Sequence, residues 1–190
     1  MNKGRLEAFS DGVLAILITI MVLELKAPLG EGIESLRSVV QPLLSYVLSF
    51  VYLGIYWNNH HHMLHMTTRI NGAILWANLH LMFWLSLVPV MTAWMGEHFT
   101  AVPVAAYGAV LFCAGVAYLI LQQTIIAEQG PGSKLKAAVG RDLKGKVSAI
   151  LYALAIALAF VVPAVSGALY VTVALIWLVP DRRIERQLRE

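Results

Sequence analysis

Six apolar blocks, each near the length that crosses a bilayer, leave this chain few options for a fold. They run over about residues 9–26, 40–60, 71–95, 102–126, 146–162 and 165–180. A bilayer core is ~30 Å thick, so a helix of about 20 apolar residues spans it. Inside that core every backbone N–H and C=O must be paired by the chain itself, which favours helices. The blocks predict an all-α integral membrane protein with six transmembrane helices. Composition agrees. The 190 residues are 59% hydrophobic and 13% charged, with mean hydropathy +0.72. Soluble domains average about 45–50% apolar and about 25% charged. Residues 1–190 therefore read as a single six-helix membrane domain, with almost no room for a separate soluble one.

Breakers punctuate the blocks. Pro28, Gly30 and Gly32 follow the first, and Gly130-Pro131-Gly132-Ser133 opens the longest loop. Pro103 sits near the start of the fourth block, where proline is tolerated. Pro89 lies inside the third and is expected to kink or shorten it. Pro163 and the Ser166-Gly167 pair separate the short last two blocks into a tight helical hairpin. No internal repeat is visible. Cys113 is the single cysteine, so no intrachain disulfide can form. Lys3 and Arg5 ahead of an apolar run imitate a secretory signal, but Glu7 and Asp11 do not suit one.

Charge sets the orientation. Of the 14 basic residues, only Lys26 and Arg37 fall on one side of the six-span layout. Lys3, Arg5, Arg69, the loop cluster Lys134, Lys136, Arg141, Lys144 and Lys146, and the tail cluster Arg182, Arg183, Arg186 and Arg189 fall on the other. The positive-inside rule then makes both termini cytoplasmic. The basic tail reads as a topological anchor, not a nucleic-acid patch.

The first block is two-faced. At about 100° per residue, Phe9, Gly12, Val13, Ile16, Thr19, Ile20 and Leu23 share one stripe centred on Ile16. Ser10 and Asp11 lie about 120° and 140° to either side of that centre. A carboxylate costs roughly 2.5–3.5 kcal/mol at the bilayer centre on insertion scales, and less near the interface. Asp11 is thus functional or tied into the bundle. The aliphatic stripe either meets lipid and neighbouring helices or, in an assembly of several copies, lines a pore. Periodicity leaves both open. Stacked apolar rings can gate by dewetting and force an ion to shed water.

More polar residues gather on the same predicted side. The second block ends Trp57-Asn58-Asn59-His60-His61-His62-Met63-Leu64-His65, and the third carries Trp76, Asn78, His80 and Trp84. Intramembrane polar groups usually bond one another inside the bundle. A network of Arg5 or Asp11 with His60, His61 and Asn78 is expected. His61 and His65 share a helix face, but no His-Glu-x-x-His pattern or cysteine pair accompanies them, so the cluster reads as hydrogen bonding and not as a metal site. No Thr-Val-Gly-Tyr-Gly filter loop, arginine-repeat voltage sensor or P-loop is present. No hydrolytic constellation assembles, so the chain does not read as an enzyme.

Arg5-x-x-x-Phe9-Ser10-Asp11-Gly12-Val13, then Ala15-Ile16-x-x-Thr19 and Leu23-x-Leu25, resembles the bacterial homologues of the endosomal/lysosomal potassium channel, the transmembrane protein 175 family. Trp57-x-x-His60-His61, Trp76-x-Asn78 and Leu87-Val88-Pro89 extend the likeness. The matches weaken after about residue 95. The resemblance implies a homotetramer in the bacterial inner membrane, with a central pore lined by the first helix. It implies a modestly selective channel for K+ and other monovalent cations, with no re-entrant filter loop and no cofactor. The constriction would fall at Ile16, with Ile20 and Leu23 one and two turns on and Thr19 adding a hydroxyl ring. Phe9, Ser10 and Asp11 would, with Arg5, Trp57, His60, His61 and Asn78, tie the helices together. Gly12, Leu14, His62 and His65 depart from the pattern, which touches local packing. The competing reading is a proton-coupled secondary transporter using Asp11. It would call for discontinuous helices and usually a repeat.

Overall fold

The computed structural model describes residues 2–140 and 142–178. It is helical, with no strand among the described residues: α1 (Lys3–Leu23), α2 (Arg37–His65), α3 (Gly72–Ser86), α4 (Val88–Glu97), α5 (Ala101–Gln129), α6 (Lys134–Val139), α7 (Leu143–Ala159) and α8 (Pro163–Leu178). The segments Lys3–Leu23, Ile33–His65, Gly72–Glu97 and Ala101–Gly132 are long and apolar enough to cross a membrane. Pro163–Leu178 is apolar but shorter.

The first helix begins earlier than its apolar block. The Asn2 side chain accepts the Gly4 N–H at 3.0 Å, a cap that starts α1 at Lys3. Lys3 reaches the His65 carbonyl at 2.9 Å and Glu7 at 3.7 Å, so the charged first turns are pinned to the end of α2.

The third block divides at Leu87. Pro89 has no N–H and its ring crowds the carbonyl four residues back, so the helix restarts with Pro89 in the first turn of α4. Asn71 caps α3 through the Ile74 N–H at 3.0 Å. Helix α5 stops at Gly130, whose φ of 69° suits glycine. The long loop carries α6, capped by Ser133 and held by buried Leu135 and Ala138. Asp142, at φ 43°, caps α7 through the Gly145 N–H at 3.2 Å.

The last two helices form the expected hairpin, but the break differs. Only residues 160–162 connect them, and Pro163 opens α8. Ser166 and Gly167 lie inside α8 and interrupt nothing. Ser166 Oγ donates to the Ala155 carbonyl across the hairpin at 2.7 Å. Gly167 admits the Phe99 ring, whose Cζ would lie 3.0 Å from an added Cβ. The end of the sixth block, Arg141 and the basic tail lie outside the described residues.

Helix α5 sits centrally, packed on α3, α4 and α7, while α1 packs on α2, α3 and α4. Leu53, Leu64, Leu81, Leu85, Leu111 and Leu121 are fully buried between them. A hydroxyl chain crosses this core: Tyr107 to Ser49 at 3.0 Å, and Ser49 to Thr92 at 2.7 Å. Thr92 has one proton and is 2.7 Å from the Val88 carbonyl. Donating there, it accepts from Ser49, which in turn accepts from Tyr107. Tyr52 donates to the Tyr170 carbonyl at 2.6 Å, and Tyr170 to the Val104 carbonyl at 3.0 Å.

Candidate functional site

Helix α1 presents opposite faces to opposite surroundings. Leu6, Ser10, Leu14, Leu17 and Met21 are buried against the other helices. Ile16, Ile20 and Leu23 are 58%, 40% and 80% exposed, and Phe9, Gly12 and Thr19 are exposed with them. Val13 is only half-buried and flanks the stripe. Such a run of large apolar side chains is unpartnered within one copy of the chain. Thr19 Oγ1 donates to the Ile16 carbonyl at 2.8 Å, which holds its rotamer and leaves the oxygen's lone pairs free to accept.

The buried face is seated by a three-residue relay. His60 Nε2 lies 2.7 Å from Asn78 Oδ1, and Asn78 Nδ2 donates to Ser10 Oγ at 3.0 Å. All three side chains are essentially inaccessible to solvent. Because Oδ1 only accepts, His60 Nε2 carries a hydrogen. The relay joins α1, α2 and α3 at one level, with polar groups paired as a low-dielectric interior requires.

A second tether runs alongside. Trp57 Nε1 donates to Asp11 Oδ1 at 3.0 Å. The Trp57 ring stacks on His61 with centroids 6.2 Å apart, and His61 in turn touches His62 and His65. His61 therefore joins through ring contact, and Asp11 pairs with the indole, not with an imidazole. Arg5 and Phe9 stand apart: both are exposed, and the Arg5 guanidinium bonds none of the described residues. His80 accepts from Trp84 Nε1 at 2.9 Å on its own helix. No group of three His, Cys, Asp or Glu side chains among the described residues is arranged to hold a metal ion.

Sequence reasoning overlooked the hydroxyl chain through Ser49, Thr92 and Tyr107, which meets α1 at Met21 Sδ, 4.0 Å from Thr92. Single Ser and Thr residues in a helix can bond their own backbone, so nothing in the sequence singles them out. It also overlooked Lys26, which bonds Glu97 at 2.5 Å where α1 gives way to the loop. The Glu97 carboxylate raises the Lys26 pKa.

Comparison with known proteins gives these features a context. Residues 5–89 match the family described as endosomal/lysosomal potassium channel TMEM175. A potassium channel of Chryseobacterium sp. (strain P1-3) is 54% identical over 191 residues, covering 100% of both chains. A potassium channel of Streptomyces collinus is 34% identical over 131 residues, 64% of each chain. The crystal structure of a lysosomal potassium-selective channel TMEM175 homolog from Chamaesiphon minutus superimposes with TM-score 0.79 at 26% identity, covering 94% of this chain and 97% of that one. These relatives are channels and not enzymes. The chain is a member of the TMEM175 family of potassium channels.

Proposed function

We propose that four copies of this chain surround a central axis and form a modestly selective potassium channel. The stripe on α1 is the observation that carries this reading: a helix whose inner face is seated by polar bonds and whose outer face offers Ile16, Ile20 and Leu23 to nothing in its own subunit. Six crossings would come from α1, α2, the broken α3–α4 segment, α5, α7 and α8, with both termini cytoplasmic. Helix α7, of 17 residues, is shorter than the ~20 that fit a bilayer, which local thinning accommodates at modest cost.

Conduction follows from hydration. An aliphatic ring at Ile16 supplies no oxygen ligands, so an ion passes it only by shedding or squeezing its water. The more tightly hydrated Na+ is penalised more than K+. The Thr19 oxygens offer partial compensation next to the ring. With no carbonyl cage, selectivity stays modest. Ser10, Asp11, Trp57, His60 and Asn78 act at a distance by fixing the rotation of α1, with His61 stacked behind Trp57. Arg5 and Phe9 remain available to a neighbouring copy.

The test is Ile16→Asn in planar bilayers. Conductance is expected to rise and the K+/Na+ reversal potential to move toward zero. An unchanged reversal potential removes Ile16 as the selective constriction.

A further inference from the structure

A crevice between α2, α5, α7 and α8 has no part in this conduction path. Six aromatic side chains, Tyr52, Tyr56, Phe112, Tyr118, Tyr152 and Trp177, line it, and Gly115, Gly145 and Ala149 leave the room. It is a small slot of about 70 Å³ with an open mouth. Most of its polar groups are already engaged by the chain, the Tyr56 hydroxyl excepted. Trp177 Nε1 donates to Ser148 at 2.8 Å, Tyr118 to the Asn59 carbonyl at 3.4 Å, and Asn59 Nδ2 to the Ile55 carbonyl at 2.8 Å. Asp142 caps α7. The interior therefore suits an apolar occupant.

The surroundings say which kind. Val116 at the edge of the crevice is 37% exposed, and α7 beside it turns Val147, Ile150 and Leu154 outward, an aliphatic surface that lipid covers. At the N-terminal end of α7 the rim is basic. The Lys144 ammonium lies 5.9 Å from the centre of the Trp177 ring, and Lys146 is exposed one residue beyond Gly145. From residue 130 to 146 the chain has five basic residues and one acid, Asp142. An apolar slot with a basic rim at a membrane boundary complements an amphiphile with an acidic head.

We propose that the crevice binds an anionic phospholipid of the cytoplasmic leaflet, with one acyl chain against Tyr56, Tyr118 and Tyr152 and its phosphate at Lys144 and Lys146. The choice of leaflet rests on the orientation proposed above. Each lysine near an anionic headgroup contributes roughly a fivefold preference.

The test uses the full-length protein in neutral micelles, titrated with phosphatidylglycerol or phosphatidylcholine carrying brominated acyl chains, with tryptophan quenching as readout. The chain has five tryptophans, so Trp177→Phe isolates the Trp177 share. Phosphatidylglycerol is expected to quench that share at roughly 5- to 25-fold lower concentration than phosphatidylcholine. Lys144→Gln with Lys146→Gln should erase the preference and leave phosphatidylcholine quenching in place. Gly115→Leu and, separately, Ala149→Leu should remove the Trp177 share of quenching by both lipids, in protein that keeps its elution volume and helical circular dichroism. Equal potency of the two lipids on the unaltered chain overturns the headgroup assignment. Total quenching unchanged by Trp177→Phe, or a Trp177 share that persists in both crevice-filling variants, overturns the location. Ion selectivity is read separately through Ile16→Asn, so failure of the conduction reading leaves these outcomes intact.

Discussion

Replacing Asn78 by leucine isolates the seat of α1 with little change of volume. Asn78 accepts from His60 and donates to Ser10, and all three side chains are buried. Leucine removes both bonds and orphans the His60 N–H. An unsatisfied buried donor costs about 1–3 kcal/mol. Ser10 loses a donor but can turn to the carbonyl one helical turn back, so its share is nearer 1 kcal/mol. The sum is about 2–4 kcal/mol, or roughly 30- to 1,000-fold in the folded-to-unfolded ratio. Hydrogen bonds in membrane bundles average only about 0.6 kcal/mol, since the unfolded chain in lipid finds other partners, so the lower half of the range is favoured. Equilibrium unfolding in mixed micelles at fixed protein concentration measures it. A cycle with Ser10→Ala sharpens the result. That change should cost about 1 kcal/mol in the unaltered chain and almost nothing beside Asn78→Leu. An Asn78→Leu variant within about 0.5 kcal/mol of the parent, or an equal Ser10→Ala cost in both backgrounds, would refute the relay as the element that holds α1.

Other perturbations test the surrounding core. Gly108→Ala puts a Cβ 2.0 Å from Tyr170 Oη and 2.7 Å from Cζ. A buried ring cannot yield that much, so about 2–3 kcal/mol of destabilisation should outweigh the ~1 kcal/mol helix-propensity gain, and a midpoint equal to the parent's would contradict the close approach of α5 and α8. Ser166→Ala removes one hydroxyl bond to a carbonyl that stays in its helical ladder, so a loss of only about 0.5–1.5 kcal/mol is expected by the same unfolding assay. Lys26→Met breaks an exposed pair with Glu97 and should leave the unfolding midpoint unchanged at physiological salt; a clear drop would show that this pair clamps the end of α1.

Much of the architecture was legible because lipid imposes simple rules. Block length indicated the helices, and Pro89 located the division at Leu87. The stripe through Ile16 and the opposed placement of Ser10 followed from helical angle alone. What escaped were features decided by partners far away in sequence. Nothing near Lys3, Arg5 or Glu7 says that helix continues through charged turns until Asn2 and the His65 carbonyl come into view. Five histidines lie between residues 60 and 80, yet only packing picks out His60 for Asn78 and leaves His61 to stack on Trp57. Asp11 could have met an imidazole, a guanidinium or an indole, and the rotation of α2 settles it on the indole. Ser166-Gly167 looked like a breaker from composition but serves a close interhelical contact.

The hydroxyl chain from Tyr107 through Ser49 and Thr92 to the Val88 carbonyl has a consequence for how the bundle finds its alignment. Lipid is as apolar as the helix surfaces it covers, so apolar burial barely distinguishes one sliding position of a membrane helix from the next. Each member of this chain has one proton to give, and each gives it to the next. Moving α4 by a single turn, about 5.4 Å, would part Thr92 from Ser49 and leave Ser49 only a carbonyl of its own helix to donate to. The chain thus acts as a vernier for α2, α4 and α5: it adds little to net stability but favours the setting in which Tyr107, Ser49 and Thr92 meet. Because Met21 of α1 touches Thr92, that setting also fixes the height of Ile16 relative to α4.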